Sequence, residues 1–265
     1  MTRGRLAIVA GAAMILLAGC TTVTKGTAFG PGQAPGPDGP ANLSELSARL
    51  THSATKVKSA QGTLNVDAGA LVQSSTFREL LSSGQVTAFD DQVNTTYQGQ
   101  ETKLHLLYVD KKIYVDRGQN GKPWVVATPD SSDPIAAQLA ESLPQTLSQS
   151  GIKYYVLMLS AGHDLKVVGT ESVSGVQAVH YQLIVDPKEL VKLLPSDQAQ
   201  QMQQAVDAGV TEVPVDLWVD PQSRPVKVTD SVTAQGQTAH VEFLITNYDA
   251  AISIDAPPAD QIDQG

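Results

Sequence analysis

From Asn42 onward the chain switches between two hydrophobic rhythms. Leu43, Leu46, Leu50, Ala54 and Val57 recur at intervals of three and four residues, the spacing that lines one face of a helix. Asn42 stands before the first of them with Glu45 three residues on, the pattern of an N-terminal cap. After Ser59 to Gly62 the period becomes two. Thr63-Leu64-Asn65-Val66-Asp67 alternates as a half-buried strand does. Further strands are expected at Gln85 to Phe89, Val93 to Tyr97, Lys103 to Val109, Ile113 to Arg117 and Pro123 to Ala127. Between them stand the turn signals Ser83-Gly84, Gln98-Gly99, Asp110-Lys111-Lys112 and Asn120-Gly121, and such short connections imply antiparallel hairpins.

Helical spacing returns at Ile135 to Leu147, opened by Asp133-Pro134, and at Ile152 to Leu159, where Ile152, Tyr155, Val156 and Leu159 share a face. Strands are expected at Leu165 to Gly169 and Gln177 to Val185. A helix starts after Asp186-Pro187, and another covers Gln198 to Ala208. Val215 to Asp220 alternates, Pro221-Gln222-Ser223 turns, and Val226 to Asp230 returns. His240 to Tyr248 is the last expected strand, and Pro257-Pro258 is expected to end ordered structure. The total is about ten antiparallel strands with three or four helices, an α+β architecture.

The first residues follow another logic. Arg3 and Arg5 precede an uncharged run from Leu6 to Ala18, roughly 20 Å long as a helix and too short for a hydrocarbon core of about 30 Å. A basic start, a short apolar run and small residues at its end describe an export signal. Leu17-Ala18-Gly19-Cys20 resembles the lipobox of bacterial lipoproteins, which implies a diacylglycerol thioether on Cys20 and cleavage before it. Cys20 is the single cysteine, so no disulfide forms within the chain and the fold rests on packing. Thr21 to Ala41 is rich in Gly and Pro with Phe29 as its one large apolar residue, and reads as a flexible tether with a reach of about 25 Å. The expected organisation is a signal peptide over 1–19, a lipidated cysteine and tether over 20–41, one domain over 42–258, and a disordered tail over 259–265.

The formal charge is −9, and losing Arg3 and Arg5 makes it two units more negative. Such a chain is repelled by nucleic acid and by anionic lipid, so a covalent anchor, not charge, would hold it at a membrane. With 5% aromatic residues there is little material for a sugar- or base-stacking surface.

A search for chemistry finds little. His52, His105, His163, His180 and His240 lack metal-site spacing and are expected at surfaces or edges, and no metal or other cofactor is expected. No G-x-S-x-G elbow occurs. Gly118 to Lys122 is too short for a phosphate loop and reads as a hairpin turn. Ser53-Ala54-Thr55-Lys56 matches S-x-x-K without partner motifs, and Lys56 reads as a solvated charge. Asp90-Asp91 is expected at a turn. Asp216, Trp218 and Asp220 are expected on an outward face, with Trp218 partly exposed. The chain is not expected to be an enzyme.

An antiparallel sheet with one apolar face must cover it. The residues of that face are expected to be Leu64, Val66, Val93, Tyr97, Leu104, Leu106, Tyr108, Val215, Leu217, Val219, Val241, Phe243 and Ile245, with helices near Ile152 to Leu159 and Leu190 to Leu194 above them. Pattern alone does not separate a filled core from a hollow one.

Several segments in order are similar to the LppX/LprG family of actinobacterial cell-envelope lipoproteins: the lipobox, Val57-Lys58-Ser59-Ala60-Gln61-Gly62-Thr63, Leu107-Tyr108-Val109-Asp110-Lys111-Lys112-Ile113-Tyr114-Val115, Trp124, Val213-Pro214-Val215-Asp216-Leu217-Trp218-Val219-Asp220, Tyr248-Asp249 and the ending at Pro257-Pro258. The resemblance implies a curved half-barrel, related to LolA and LolB, with helices over the concave apolar face. It implies a cavity that carries an acylated lipid or lipoglycan across the envelope, lined by the face above together with Tyr155 and Leu159. Residues 131–150 and 152–159 are expected to gate it. The protein would sit on the extracytoplasmic side of the membrane through Cys20 and meet envelope transport proteins. The alternative is a non-enzymatic interaction lipoprotein with a filled core that binds other envelope proteins.

Overall fold

A computed structural model of the protein describes residues 27–28, 40, 42–116, 123–149, 152–194, 196–234 and 236–263. Among them, thirteen strands form one curved, unclosed sheet: β1 (Thr27–Ala28), β2 (Ser59–Ala68), β3 (Leu71–Ser82), β4 (Gln85–Tyr97), β5 (Gln100–Val109), β6 (Lys112–Asp116), β7 (Trp124–Val126), β8 (Gly162–Val173), β9 (Val176–Val185), β10 (Val213–Val219), β11 (Pro225–Ala234), β12 (Gln237–Tyr248) and β13 (Ile262–Asp263). The helices are α1 (Leu43–Ala54), α2 (Pro134–Gln149), α3 (Ile152–Ser160), α4 (Pro187–Leu193) and α5 (Ser196–Asp207). The α+β half-barrel expected from the sequence is the observed architecture.

The strand order is β1-β8-β9-β10-β11-β12-β2-β3-β4-β5-β6-β7-β13. Every pairing is antiparallel except the parallel one between β13 and β7. Two meanders, β2–β7 and β8–β12, are joined by the pairing of β12 with β2. Consequently β7 and β8, consecutive along the chain, lie toward opposite edges. The chain must cross a face to pass between them, and α2 and α3 make that crossing.

Turn chemistry sets the hairpins. Ser83-Gly84, Gln98-Gly99, Asp110-Lys111 and Ser174-Gly175 all have both residues at positive φ, as two-residue hairpin turns require. Asn42 caps α1 by accepting from the Glu45 amide at 2.9 Å. Asp133 Oδ1 accepts from the amides of Ile135 and Ala136 at the start of α2, and Asp186 caps α4 through Lys188.

The sheet's inner face carries two separate helix-covered cores. Over β9, β10 and β11, Leu46 and Leu50 of α1, Met158 and Leu159 of α3, Leu190 of α4 and Met202 of α5 pack on Tyr181, Leu183, Val215, Leu217 and Val228. Over β4 to β6, Ile135, Ala136 and Leu139 of α2 pack on Phe89, Leu106, Ile113 and Val115. The outer face has its own cover at one end, where Ile252 and Ile254 lie on Ala88, Leu107, Tyr114 and Trp124.

Several expectations change. β3 has no counterpart in the hydrophobic pattern, because its inward positions include Gln73 and Ser75. β4 is one strand rather than two, so Asp90-Asp91 is mid-strand and not a turn. Alternation sends the two acids to opposite faces, where polar groups of neighbouring strands receive them. Past Pro257-Pro258, Ala259–Gln261 make a 3-10 turn and Ile262–Asp263 pair with β7 beside Trp124, since Ile262 has an apolar cluster to join. Thr27–Ala28, within the expected tether, pair with Thr170 and Gly169 of β8. Cys20, the signal segment and the Asn120-Gly121 turn lie outside the described residues.

Candidate functional site

Between the two covered cores runs a strip of inner face on β12, β2, β3, β4 and the adjoining part of β5. Cross-strand register defines it: Val241 pairs with Val66, Phe243 with Leu64, Ser75 with Val93, and Val93 with Leu104. Leu64, Val93, Leu104, Val241 and Phe243 are half-buried; Val93 and Leu104 pack at the edge of the α2 core and Phe243 at the edge of the other, while Leu64 and Val241 belong to neither. The strip, called the trough below, is therefore the partly open stretch of the inner face, with the core under α1, α3, α4 and α5 on one side and the α2 core on the other.

Gly62 shapes its floor. A Cβ there would stand 2.7 Å from the Phe77 ring and against the Leu244 carbonyl. Without it, Phe77 and Phe243 reach over β2 and stack with centroids 5.1 Å apart.

The trough is not purely apolar. Gln73 and Ser75 of β3 are buried in it. Asp91 lies between Ser75 and Glu79, each a diagonal neighbour across the β3–β4 pairing. Burial pushes Glu79 up to about 7, with repulsion from Asp91 adding to it. Burial likewise raises Asp91 to about 6, against a hydrogen bond from Ser75. Asp230 of β11 faces the same way, between Val215 and Val241, and burial alone raises it to about 7. Among the described residues, Asp91 Oδ1 and Asp230 Oδ1 are buried side-chain oxygens with no hydrogen-bond partner.

The outer face satisfies its charges instead. Asp90 accepts from Arg78 and His105; although burial works the other way, these bonds hold its carboxyl below the usual carboxylate range. His180 contacts Glu171 at 3.0 Å through Nδ1 and Asp216 at 2.5 Å through Nε2. Burial works against its charged form, but the two carboxylates outweigh it and raise its pKa. Trp218 stacks on the His180 ring at 4.1 Å, donates to Glu171 at 2.8 Å, and lies under Lys227, which pairs with Glu242. His180 and Trp218 are thus buried rather than at an edge or partly exposed, because β8, β9, β10 and β11 bring complementary groups together. Both ring nitrogens of the imidazole are thus engaged by carboxylates. Among the described residues no His, Cys, Asp and Glu cluster is arranged to hold a metal ion.

The structure sorts the residues expected on the apolar face. Leu64, Val93, Leu104, Val241 and Phe243 line the trough, with Val66 and Ile245 buried in its floor. Val215, Leu217, Val219 and Leu159 are buried in the helix-covered core and Leu106 in the α2 core, so they hold helices in place, while Tyr108, half-buried like Val93 and Leu104, packs at the edge of the α2 core. Tyr97 shares the face but is 55% exposed at the end of the β4–β5 hairpin, beyond the trough. The Tyr155 side chain lies outside the described residues. The acids were missed, yet they left a sequence signal. Val228-Thr229-Asp230-Ser231-Val232 and Phe89-Asp90-Asp91-Gln92-Val93 each place an acid in an inward slot of an alternating strand.

Among solved structures, LprF from Mycobacterium bovis superposes with a TM-score of 0.50 at 13% identity, over 81% of this chain and 96% of that one. The chain has the LprF fold. LppX, a lipoprotein of Mycobacterium tuberculosis, aligns with a TM-score of 0.49 at 14% identity, over 79% of this chain and 98% of that one. The resemblance to LppX/LprG-type lipoproteins read from the sequence thus holds at the level of the fold. In sequence, an uncharacterized 31.2 kDa protein of Streptomyces griseus is 25% identical over 171 residues, covering 61% of this chain and 56% of that protein. No family model matches the chain. On the LprF fold no helix among the described residues is long and apolar enough to cross a membrane.

Proposed function

We propose that the protein is a non-catalytic envelope lipoprotein that binds an acylated lipid or lipoglycan in the inner-face trough and carries it across the cell envelope. The observation that supports this reading is the strip of half-buried Leu64, Val93, Leu104, Val241 and Phe243 left between two filled, helix-covered cores. Each methylene of an acyl chain removed from water there contributes about 0.8 kcal/mol, so a chain of ordinary length binds without any catalytic group. Exchange takes place at the rim of the trough, with residues 131–150 and 152–159 as its gate. Lipidation of Cys20 holds the carrier on the extracytoplasmic face, within reach of envelope transport proteins.

Mass spectrometry of the protein purified from its own membrane under native conditions tests the reading. A co-purifying acylated lipid is expected from the wild type. Val93→Trp, which fills the trough at the edge of the α2 core, is expected to keep the wild-type circular dichroism and thermal midpoint and to lose the lipid. If the wild type carries no lipid, or if the filled variant keeps it, carriage in this trough is refuted and an interaction role takes its place. For the anchor, Cys20→Ala is expected to release the protein from membranes, and full retention would remove the anchoring reading.

A further inference from the structure

We infer that Asp230 anchors a hydroxyl group borne on the apolar chain of the bound lipid, making the trough selective for hydroxylated lipids. The inference rests on lipid occupancy of the trough and names the class of lipid that fits it.

Asp230 is ringed by four valines. Val228 and Val232 stand two residues away on its own strand, and Val215 and Val241 face it directly on β10 and β12. It is 8% exposed, and its Oδ1 is fully buried with no donor. The cations of the surrounding strands point elsewhere: Lys227 pairs with Glu242, and Arg224 with Asp220 and Asp249, while His240 meets Ser231. An internal structural acid is ordinarily paired, and this one has no partner among the described residues. A valine in the same slot would extend the core that Val228 and Val232 belong to.

Its position explains what can reach it. Val215 on one side is covered by helices, whereas Val241 on the other is half-buried at the trough. Asp230 therefore stands where the trough meets the filled core, with apolar side chains on every side of it, so the part of a bound lipid that suits its surroundings is the apolar chain. A donor reaching it must sit partway along an apolar chain. Of the donors available, a hydroxyl fits both states of the acid, donating to the carboxylate or accepting from the protonated form. An ammonium fits only the ionised state and brings its own desolvation cost into a ring of valines. An anionic group is repelled.

The test uses the delipidated full chain titrated with stearate and with hydroxystearate carrying its hydroxyl in mid-chain. The wild type is expected to bind hydroxystearate on the order of tenfold more tightly, the worth of one hydrogen bond to a buried acid. Asp230→Val is expected to bind both as the wild type binds stearate. Asp230→Asn, which keeps the shape and both hydrogen-bonding roles, is expected to fold like the wild type and retain a preference. Equal affinity of the wild type for the two fatty acids overturns the hydroxyl assignment and leaves lipid carriage standing. A preference that survives in Asp230→Val overturns the role of Asp230. Failure of the wild type to bind either fatty acid overturns the inference together with the carriage reading on which it rests.

Discussion

Substituting Asp230 with Asn probes the buried acid through its effect on stability. Burial raises the Asp230 carboxyl from the ordinary 3.8 to about 7. Over that interval the native protein keeps a proton that the unfolded chain has released. Stability is therefore unaffected below the lower value, falls as pH rises between the two, and levels off above the higher one. The slope is about 1.4 kcal/mol per pH unit, and the full cost approaches about 4 kcal/mol. Asp230→Asn removes the titration. Any packing or hydrogen-bonding cost of the amide is independent of pH and cancels when the two proteins are compared at two pH values. Glu79 and Asp91 titrate in both proteins and cancel as well. The stability of the Asn variant relative to the wild type is thus expected to rise by about 2 kcal/mol between about pH 5 and about pH 7. For a domain of this size that is a relative shift in midpoint of roughly 4–8 °C. Urea and thermal denaturation of both proteins at the two pH values measure it. Parallel curves would show that Asp230 ionises as an exposed acid does, and would remove the buried, unpartnered carboxyl from the account.

Two further outcomes follow from the packing of either face. Gly62→Ala places a methyl 2.7 Å from the Phe77 ring and against the Leu244 carbonyl; the expected loss is on the order of 1–3 kcal/mol in a urea melt, and an unchanged midpoint contradicts the close approach. The raised pKa of His180 means that the native state binds its proton more tightly than the unfolded chain does. Its stabilisation is full below the ordinary histidine value of about 6.5 and is lost as pH rises through the folded value. His180→Gln is expected to abolish that part of the pH dependence, and an unaltered stability profile contradicts the double carboxylate bond.

The route through the chain was largely visible in its pattern. Local rules are enough for α1, whose Asn42 cap and Leu46–Leu50–Ala54 stripe lie between Asn42 and Ala54, and for hairpins whose turns need positive φ at Ser83-Gly84 or Ser174-Gly175. They are not enough for β3 and the middle of β4. There the inward positions hold Gln73, Ser75 and Asp91, and a pattern built on hydrophobicity sees a loop where the ladder supplies a strand.

What the sequence determined by itself is the helices, the hairpins with tight turns and the apolar parity of their strands, because these depend on contacts a few residues apart. Tertiary structure alone decided which part of that apolar face is covered. Leu217 and Leu64 have the same chemistry and the same parity. One is buried under α1, α3 and α5, and the other is left half-open, because β7 and β8 lie toward opposite edges and the helices joining them pack at the two ends. The isolation of Asp230 is likewise a product of four valines, two of them supplied by strands β10 and β12, and no local stretch of chain encodes that enclosure.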